Sequence, residues 1–127
     1  MLKILWEEYV DEFSVSYENQ GEYTLVRVAG DLTLATTHEL SNALNSAAAQ
    51  SGSHRFILDV GEVAAVDSNG LAALVSAYQT ARANEGFVRL LNIRAGLLET
   101  LYFTRLEKLF PRFSTAEEAL ASSEAGF

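Results

Sequence analysis

The chain contains no cysteine, one proline, one tryptophan and two histidines among its 127 residues. Without cysteine there is no disulfide, no thiol nucleophile and no thiolate metal site. The absence fits a reducing compartment. No apolar run approaches the roughly 20 residues that span a bilayer. The opening "MLKILWEEYV" turns acidic where the apolar core of a secretory signal would continue, so no signal peptide and a cytoplasmic location are expected. Positive charge is scarce: nine Lys and Arg stand against 17 Asp and Glu, a net charge of -8. Such a chain is repelled by phosphate backbones and anionic lipid heads, and no basic run offsets this. No nucleic-acid partner and no membrane insertion are expected. No repeat, linker or low-complexity stretch divides the chain, and its length suits one domain with one core.

What is present alternates. "FSVSYENQGEYTLVRVAGDL" reads as two strands, one near residues 13–17 and one over 23–29, joined by a turn at Asn19-Gln20-Gly21. Thr36 opens a helix, with Thr36 and Glu39 at capping-box spacing and Leu40, Ala43, Leu44, Ala47 and Ala48 on one face. "RFILDV" is a short apolar strand. "GLAALVSAYQTARAN" repeats at three and four and reads as a helix that Asn84-Glu85-Gly86 breaks. "FVRLLNI" is the next strand and "AGLLETLYFTRL" a short helix. Residues 108–113 form an edge strand, since Pro111 has no place inside a sheet. Thr115 and Glu118 make a second capping box before a final helix. The order ββαβαβα(β)α implies an α/β fold: a mixed, mostly parallel sheet of four to five strands with about four helices.

One stretch invites chemistry. In "ILDVGEVAAVDSNGLAALVSAY", Asp67, Ser68, Asn69 and Gly70 separate two apolar runs. Asn-Gly between such runs is a hairpin signal, but residues 71–81 have a helical period, so the tetrad is a strand-to-helix junction. Asp67 or Ser68 can cap that helix. Enzymatic readings fail on neighbours. A nucleophile elbow needs Gly where Val66 stands, and both His38 and His54 precede Ser68. A calcium loop aligned on Gly70 would place Ala65 and Ser76 at two key ligand positions. No Gly-rich phosphate loop with lysine exists. The histidines are isolated and read as surface residues. No catalytic residue, metal site or cofactor is implied, and the chain reads as a non-enzyme. What survives is a hydroxyl at a helix N-terminus, reachable by another protein. Phosphorylation there adds about -1.5 to -2 charges at pH 7. The helix N-terminus tolerates the anion, while Asp67 opposes it.

With these residues in place, the stretch from Phe56 to Ile93 resembles the core of the STAS domain family, the anti-sigma-factor antagonists of bacteria. Gly30-Asp31-Leu32 resembles the family's Gly-acid-apolar step, "LLETLYFTRLEKLF" its late helix and "STAEEALA" its terminal helix. The resemblance covers residues 13–122, leaving an N-terminal extension over 1–12 and a tail over 123–127. It implies partner switching. The unphosphorylated antagonist binds an anti-sigma factor that is also a serine kinase of the histidine-kinase-like ATPase type. Phosphorylation of the serine breaks the complex, and a PP2C-type phosphatase resets it. The matching serine is Ser68. Asp67, Ser68, Asn69, Gly70, Asp31 and Thr33 are the expected partner-binding residues, with Gly70 allowing close approach of the partner.

This chain departs from the pattern in three places. Thr33 stands where many phosphorylated members carry aspartate. Arg105 stands where the family usually has glycine. Residues 1–12 have no counterpart in the minimal domain: Leu2, Leu5, Trp6, Tyr9 and Phe13 share one helical face, with acids mostly elsewhere. This extension reads as a helix that packs on its own domain or forms a homodimer or partner surface. STAS domains also serve as constitutive subunits of larger assemblies, such as a lipid-transport ATPase complex or a stress-signalling scaffold. Thr33 leans slightly toward that alternative, in which Ser68 is never phosphorylated.

Overall fold

The computed structural model describes residues 13–122. The expected N-terminal helix over 1–12 and the tail over 123–127 lie outside the described residues. The strands are β1 (Ser14–Asn19), β2 (Thr24–Ala29), β3 (Arg55–Glu62), β4 (Phe87–Leu91) and β5 (Arg112–Phe113). The helices are α1 (Thr37–Ser51), α2 (Ser68–Ala83), α3 (Ala95–Phe103) and α4 (Ala116–Ala121). They form one α/β domain whose five-stranded sheet has the order β1-β2-β3-β4-β5. β1 pairs antiparallel with β2, and the other three pairings are parallel. This is the expected architecture. β3 runs two residues past "RFILDV", and the expected edge strand over 108–113 shrinks to the two residues after Pro111.

Alternation along the strands divides the core. Val26, Val28, Phe56, Leu58, Val60, Val88 and Leu90 face a cluster completed by Leu40 and Leu44 of α1, Leu74 and Tyr78 of α2, and Leu97 and Leu101 of α3. The odd positions Ile57, Phe87 and Leu91 face the other way, onto Ala119 of α4. β4 is buried on both faces, which is why "FVRLL" reads as a continuous apolar run with one interruption. That interruption, Arg89, is buried. Its guanidinium lies 3.9 Å from the Phe87 ring centroid, and Nη1 donates to the carbonyls of Ala119 at 2.6 Å and Leu120 at 3.4 Å. Burial, and then the nearby charge of Arg55, lowers its pKa, yet a guanidinium stays protonated at neutral pH. A cation thus meets the last carbonyls of α4, where the helix dipole favours it.

Helix ends follow local chemistry, with two surprises. Thr115 and Glu118 form the expected capping box. The one expected at Thr36 and Glu39 is absent: Thr36 makes no side-chain cap bond. Its hydroxyl donates to the Asp31 carbonyl at 2.8 Å and accepts from the Thr33 amide at 2.9 Å, so it is already committed to the preceding loop. The break after α2 is also built differently. Glu85, not Gly86, takes the left-handed conformation, at φ 60°. The Glu85 amide bonds the Arg82 carbonyl and the Gly86 amide the Ala81 carbonyl, the paired bonds of a Schellman motif. Gly86 is required for space, since a Cβ there would strike the backbone carbonyl of His54. α3 ends in the same motif, with Arg105 at φ 62° in the position where glycine is usual.

Adjacent substitutions separate these two causes. Gly86→Ala forces backbone apart and is expected to cost about 2–3 kcal/mol. Glu85→Gly relieves a left-handed residue and is expected to leave stability unchanged or raise it by up to about 1 kcal/mol. Urea unfolding of both variants reads the difference.

Candidate functional site

The tetrad sits where β3 hands over to α2, at the carboxyl end of the parallel strands. β2 and β3 do not separate cleanly there. A register shift between Arg27 and Ala29 lets the pairing run on past both strands. The Gly30 amide bonds the Glu62 carbonyl at 3.0 Å, the Leu32 amide the Ala65 carbonyl at 3.0 Å, and the Asp67 amide the Leu32 carbonyl at 3.2 Å. The loop after β2 is therefore stitched to the approach of α2 by backbone alone.

Asp67 completes the join. One carboxylate oxygen, Oδ1, accepts from the Gly70 amide at 2.8 Å and caps α2. The other, Oδ2, accepts from the Leu34 amide at 3.3 Å. The Gly70 amide is the main reason the carboxyl pKa lies below its usual value. Partial desolvation pushes the other way, and the Leu34 amide and Asn69 add to the lowering. The cap is therefore Asp67. Ser68 is the first helical residue and exposed, and among the described residues its hydroxyl has no hydrogen-bond partner. Asn69 is exposed beside it.

Gly70 has a structural task at this joint. It is buried, and a Cβ would strike the carbonyl of Leu32. Its missing side chain admits the chain's own loop against α2. Asp31 and Thr33 are half-buried in that loop. The Asp31 carbonyl anchors Thr36. The Thr33 hydroxyl accepts from the Ala35 amide at 3.3 Å, and the Thr33 carbonyl receives the amides of Thr36 and Thr37, each at 2.9 Å. Thr33 thus acts as a turn former, a task that an aspartate side chain also performs.

The structure brings the two loops together and adds a residue that the sequence reading missed. Leu34 is 70% exposed beside the tetrad, its amide held by Asp67. In "DLTLATT" nothing distinguishes it from Leu32, which is 1% exposed; only the fold sorts them. His38 is exposed in the first turn of α1, and His54 is half-buried against Phe56, not fully at the surface as expected. Among the described residues no group of three or more His, Asp or Glu could hold a metal ion. No helix among them is long and apolar enough to cross a membrane.

Comparison with known proteins follows the same outline. The family model described as the STAS domain matches residues 14–119. An anti-sigma factor antagonist from Mycobacterium paratuberculosis superposes with a TM-score of 0.73 at 24% identity, over 87% of this chain and 92% of its own. The Bacillus cell fate determinant SpoIIAA in its phosphorylated form gives a TM-score of 0.65 at 20% identity, over 84% of this chain and 96% of its own. The murine anion transporter Solute Carrier 26 family member A9 gives 0.67 at 17% identity, over 94% of this chain but 23% of its own. At these identities the structural likeness is one of fold.

The capping carboxylate has a pH signature. Its native pKa lies below the ordinary carboxyl value of 3.8, so its contribution to stability is present above that value and is lost as pH falls through the lower native pKa. Asp67→Asn keeps a capping side chain but loses the charge. Thermal melts are expected to show the wild type ahead of Asp67→Asn at neutral pH, with the gap closing below pH 3.8.

Proposed function

The chain belongs to the STAS domain family, whose model spans residues 14–119, and on that premise we propose that it acts as an anti-sigma factor antagonist by partner switching. The unphosphorylated chain binds an anti-sigma factor of the serine-kinase type, with a histidine-kinase-like ATPase fold. That partner phosphorylates Ser68 and is released, and a PP2C-type phosphatase restores the starting state. The chain is substrate and binding protein, not catalyst. The reading places it in the cytoplasm of a bacterium, as a regulator of transcription.

The observation that carries this reading is the division of labour at the head of α2. Asp67 performs the capping, which leaves the Ser68 hydroxyl exposed and uncommitted. A serine serving only as a cap would turn its oxygen onto the helix amides. A phosphoryl group on Ser68 meets the favourable end of the α2 dipole and the unfavourable charge of Asp67. The fold has no need to change. The partner, however, meets a new dianion beside Leu34, on a face it must desolvate to bind. A shift of about 2.8 kcal/mol there changes affinity a hundredfold. Leu34 supplies the apolar contact of that face, with Asp31, Thr33, Asp67 and Asn69 around it. The Bacillus protein of similar fold, known in a phosphorylated form, supports the same chemistry.

Phosphosite mapping by mass spectrometry on protein from its native cells, unstressed and stressed, tests the proposal. A condition-dependent phosphoryl group on Ser68 is expected. Ser68→Glu is expected to weaken partner binding at least about tenfold, while Ser68→Ala holds the partner through kinase treatment. A Ser68 that stays bare in every condition, in a chain that co-purifies with a stable complex, overturns the switch. That result assigns the domain to a constitutive assembly.

A further inference from the structure

Asn69 and Gly70 form the one Asn-Gly pair in the chain; none of the other five asparagines precedes glycine, and no aspartate does. The pair has a chemistry of its own. A backbone nitrogen can attack the side-chain amide of the asparagine before it. Glycine hinders that attack least, because it has no side chain in the way. The fold imposes the glycine: a Cβ at position 70 would strike the Leu32 carbonyl. Position 69 is exposed, so water reaches the asparagine side chain. A labile dipeptide therefore sits one residue from Ser68, in the first turn of α2.

The same turn restrains it. The Gly70 amide donates to Asp67 Oδ1 at 2.8 Å, so the attacking nitrogen is held by its proton. The backbone and side-chain amides of Asn69 face that carboxylate too, which ties down the group under attack. Backbone geometry adds a third restraint. Asn69 is the second residue of α2. Ring closure needs its Cβ and the Gly70 nitrogen nearly eclipsed about the Cα–C bond, far from the helical ψ of about -42°. No ring closes while the turn is intact, so the reaction waits on local opening. Opening at a helix end costs less than unfolding the domain.

We propose that Asn69 is the chain's site of spontaneous deamidation and that the Asp67 cap sets its rate. When the turn opens, the Gly70 nitrogen gives its proton to solvent and bonds to Asn69 Cγ. The Cγ–Nδ2 bond breaks, and Nδ2 takes up a proton and leaves as ammonia. Water then opens the cyclic imide at either carbonyl, leaving aspartate or isoaspartate. One water is consumed and one ammonia released, with no oxidation or reduction. The product adds a carboxylate beside Ser68 in a chain already at net charge -8. It needs no kinase and no partner, so it stands or falls independently of the partner switch.

The test holds the purified full chain for weeks at physiological temperature and pH, folded or in guanidinium. Peptide mass spectrometry follows the change from amide to acid at each asparagine, and isoaspartyl methyltransferase labelling identifies isoaspartate. Asn69 is expected to convert first in both states, at least about tenfold more slowly in the folded chain. Asp67→Ala is expected to raise the folded rate about fivefold, and hydrogen exchange of the Gly70 amide by the same factor, since both need the same opening. Asp67→Ser keeps a capping oxygen and is expected to stay within about threefold of the wild type. Asn69→Gln moves the carbonyl one methylene away and is expected to leave its peptide unmodified. First conversion at any other asparagine overturns the site. Equal rates in the folded and unfolded chain overturn the restraint. A folded Asp67→Ala chain that reacts no faster overturns the role of the cap. Should that variant fail to fold, the wild type in guanidinium below its unfolding transition decides: Asn69 deamidation is expected to rise in proportion to Gly70 exchange, and a rate that does not follow it overturns the proposal.

Discussion

Everything at the candidate site hangs on one carboxylate with two obligations. Asp67 gives one oxygen to the Gly70 amide and the other to the Leu34 amide. The first bond starts α2; the second fixes a loop that arrives from a different strand. Neither would be in reach without the extended backbone pairing of β2 and β3 beyond Glu62, or without the missing side chain at Gly70. Sheet register, a glycine and a charge therefore converge on a single joint. The exposed hydroxyl of Ser68 sits on it as on a fixed mount.

On the proposed reading, this arrangement separates stability from signalling. The groups that hold the joint are the backbone, Gly70 and Asp67, and the group available for modification holds nothing. Charge added to Ser68 changes what an approaching surface meets without removing a bond from the fold. The acidic balance of the chain sharpens the contrast, since a partner drawn to an acidic surface is sensitive to where further negative charge falls.

The architecture was legible because periodicity reports it directly. The period of two in "TLVRV" and of three to four in "LAALVSAYQTA" survive any detail of packing. So did the tetrad, because a change of period around Asp67-Ser68 marks a junction wherever it occurs. Finer features depended on competition that sequence does not display. Thr36 and Thr115 have the same spacing to a glutamate, yet one box forms and the other does not, because the Thr36 hydroxyl is claimed by Asp31 and Thr33. Gly86 reads as a helix stop, but its reason is a carbonyl of His54, distant in sequence by more than thirty residues. Leu32 and Leu34 read alike, and only the pairing of Leu32 with Val66 buries one and leaves the other out.

The second face of the sheet has a consequence of its own. α4 has six residues, too few to stand as a helix unaided. Ala119 seats it on Ile57, Phe87 and Leu91, and the Arg89 guanidinium grips its final carbonyls from inside the sheet. The helix is thus templated by the strand beneath it, and nothing equivalent runs in reverse. A helix this short, held on one face, opens as a small cooperative unit of its own. Each opening bares the side-chain flank of β3 and β4 that Ala119 covers, while the backbone bonds between the strands and the three-helix side stay closed.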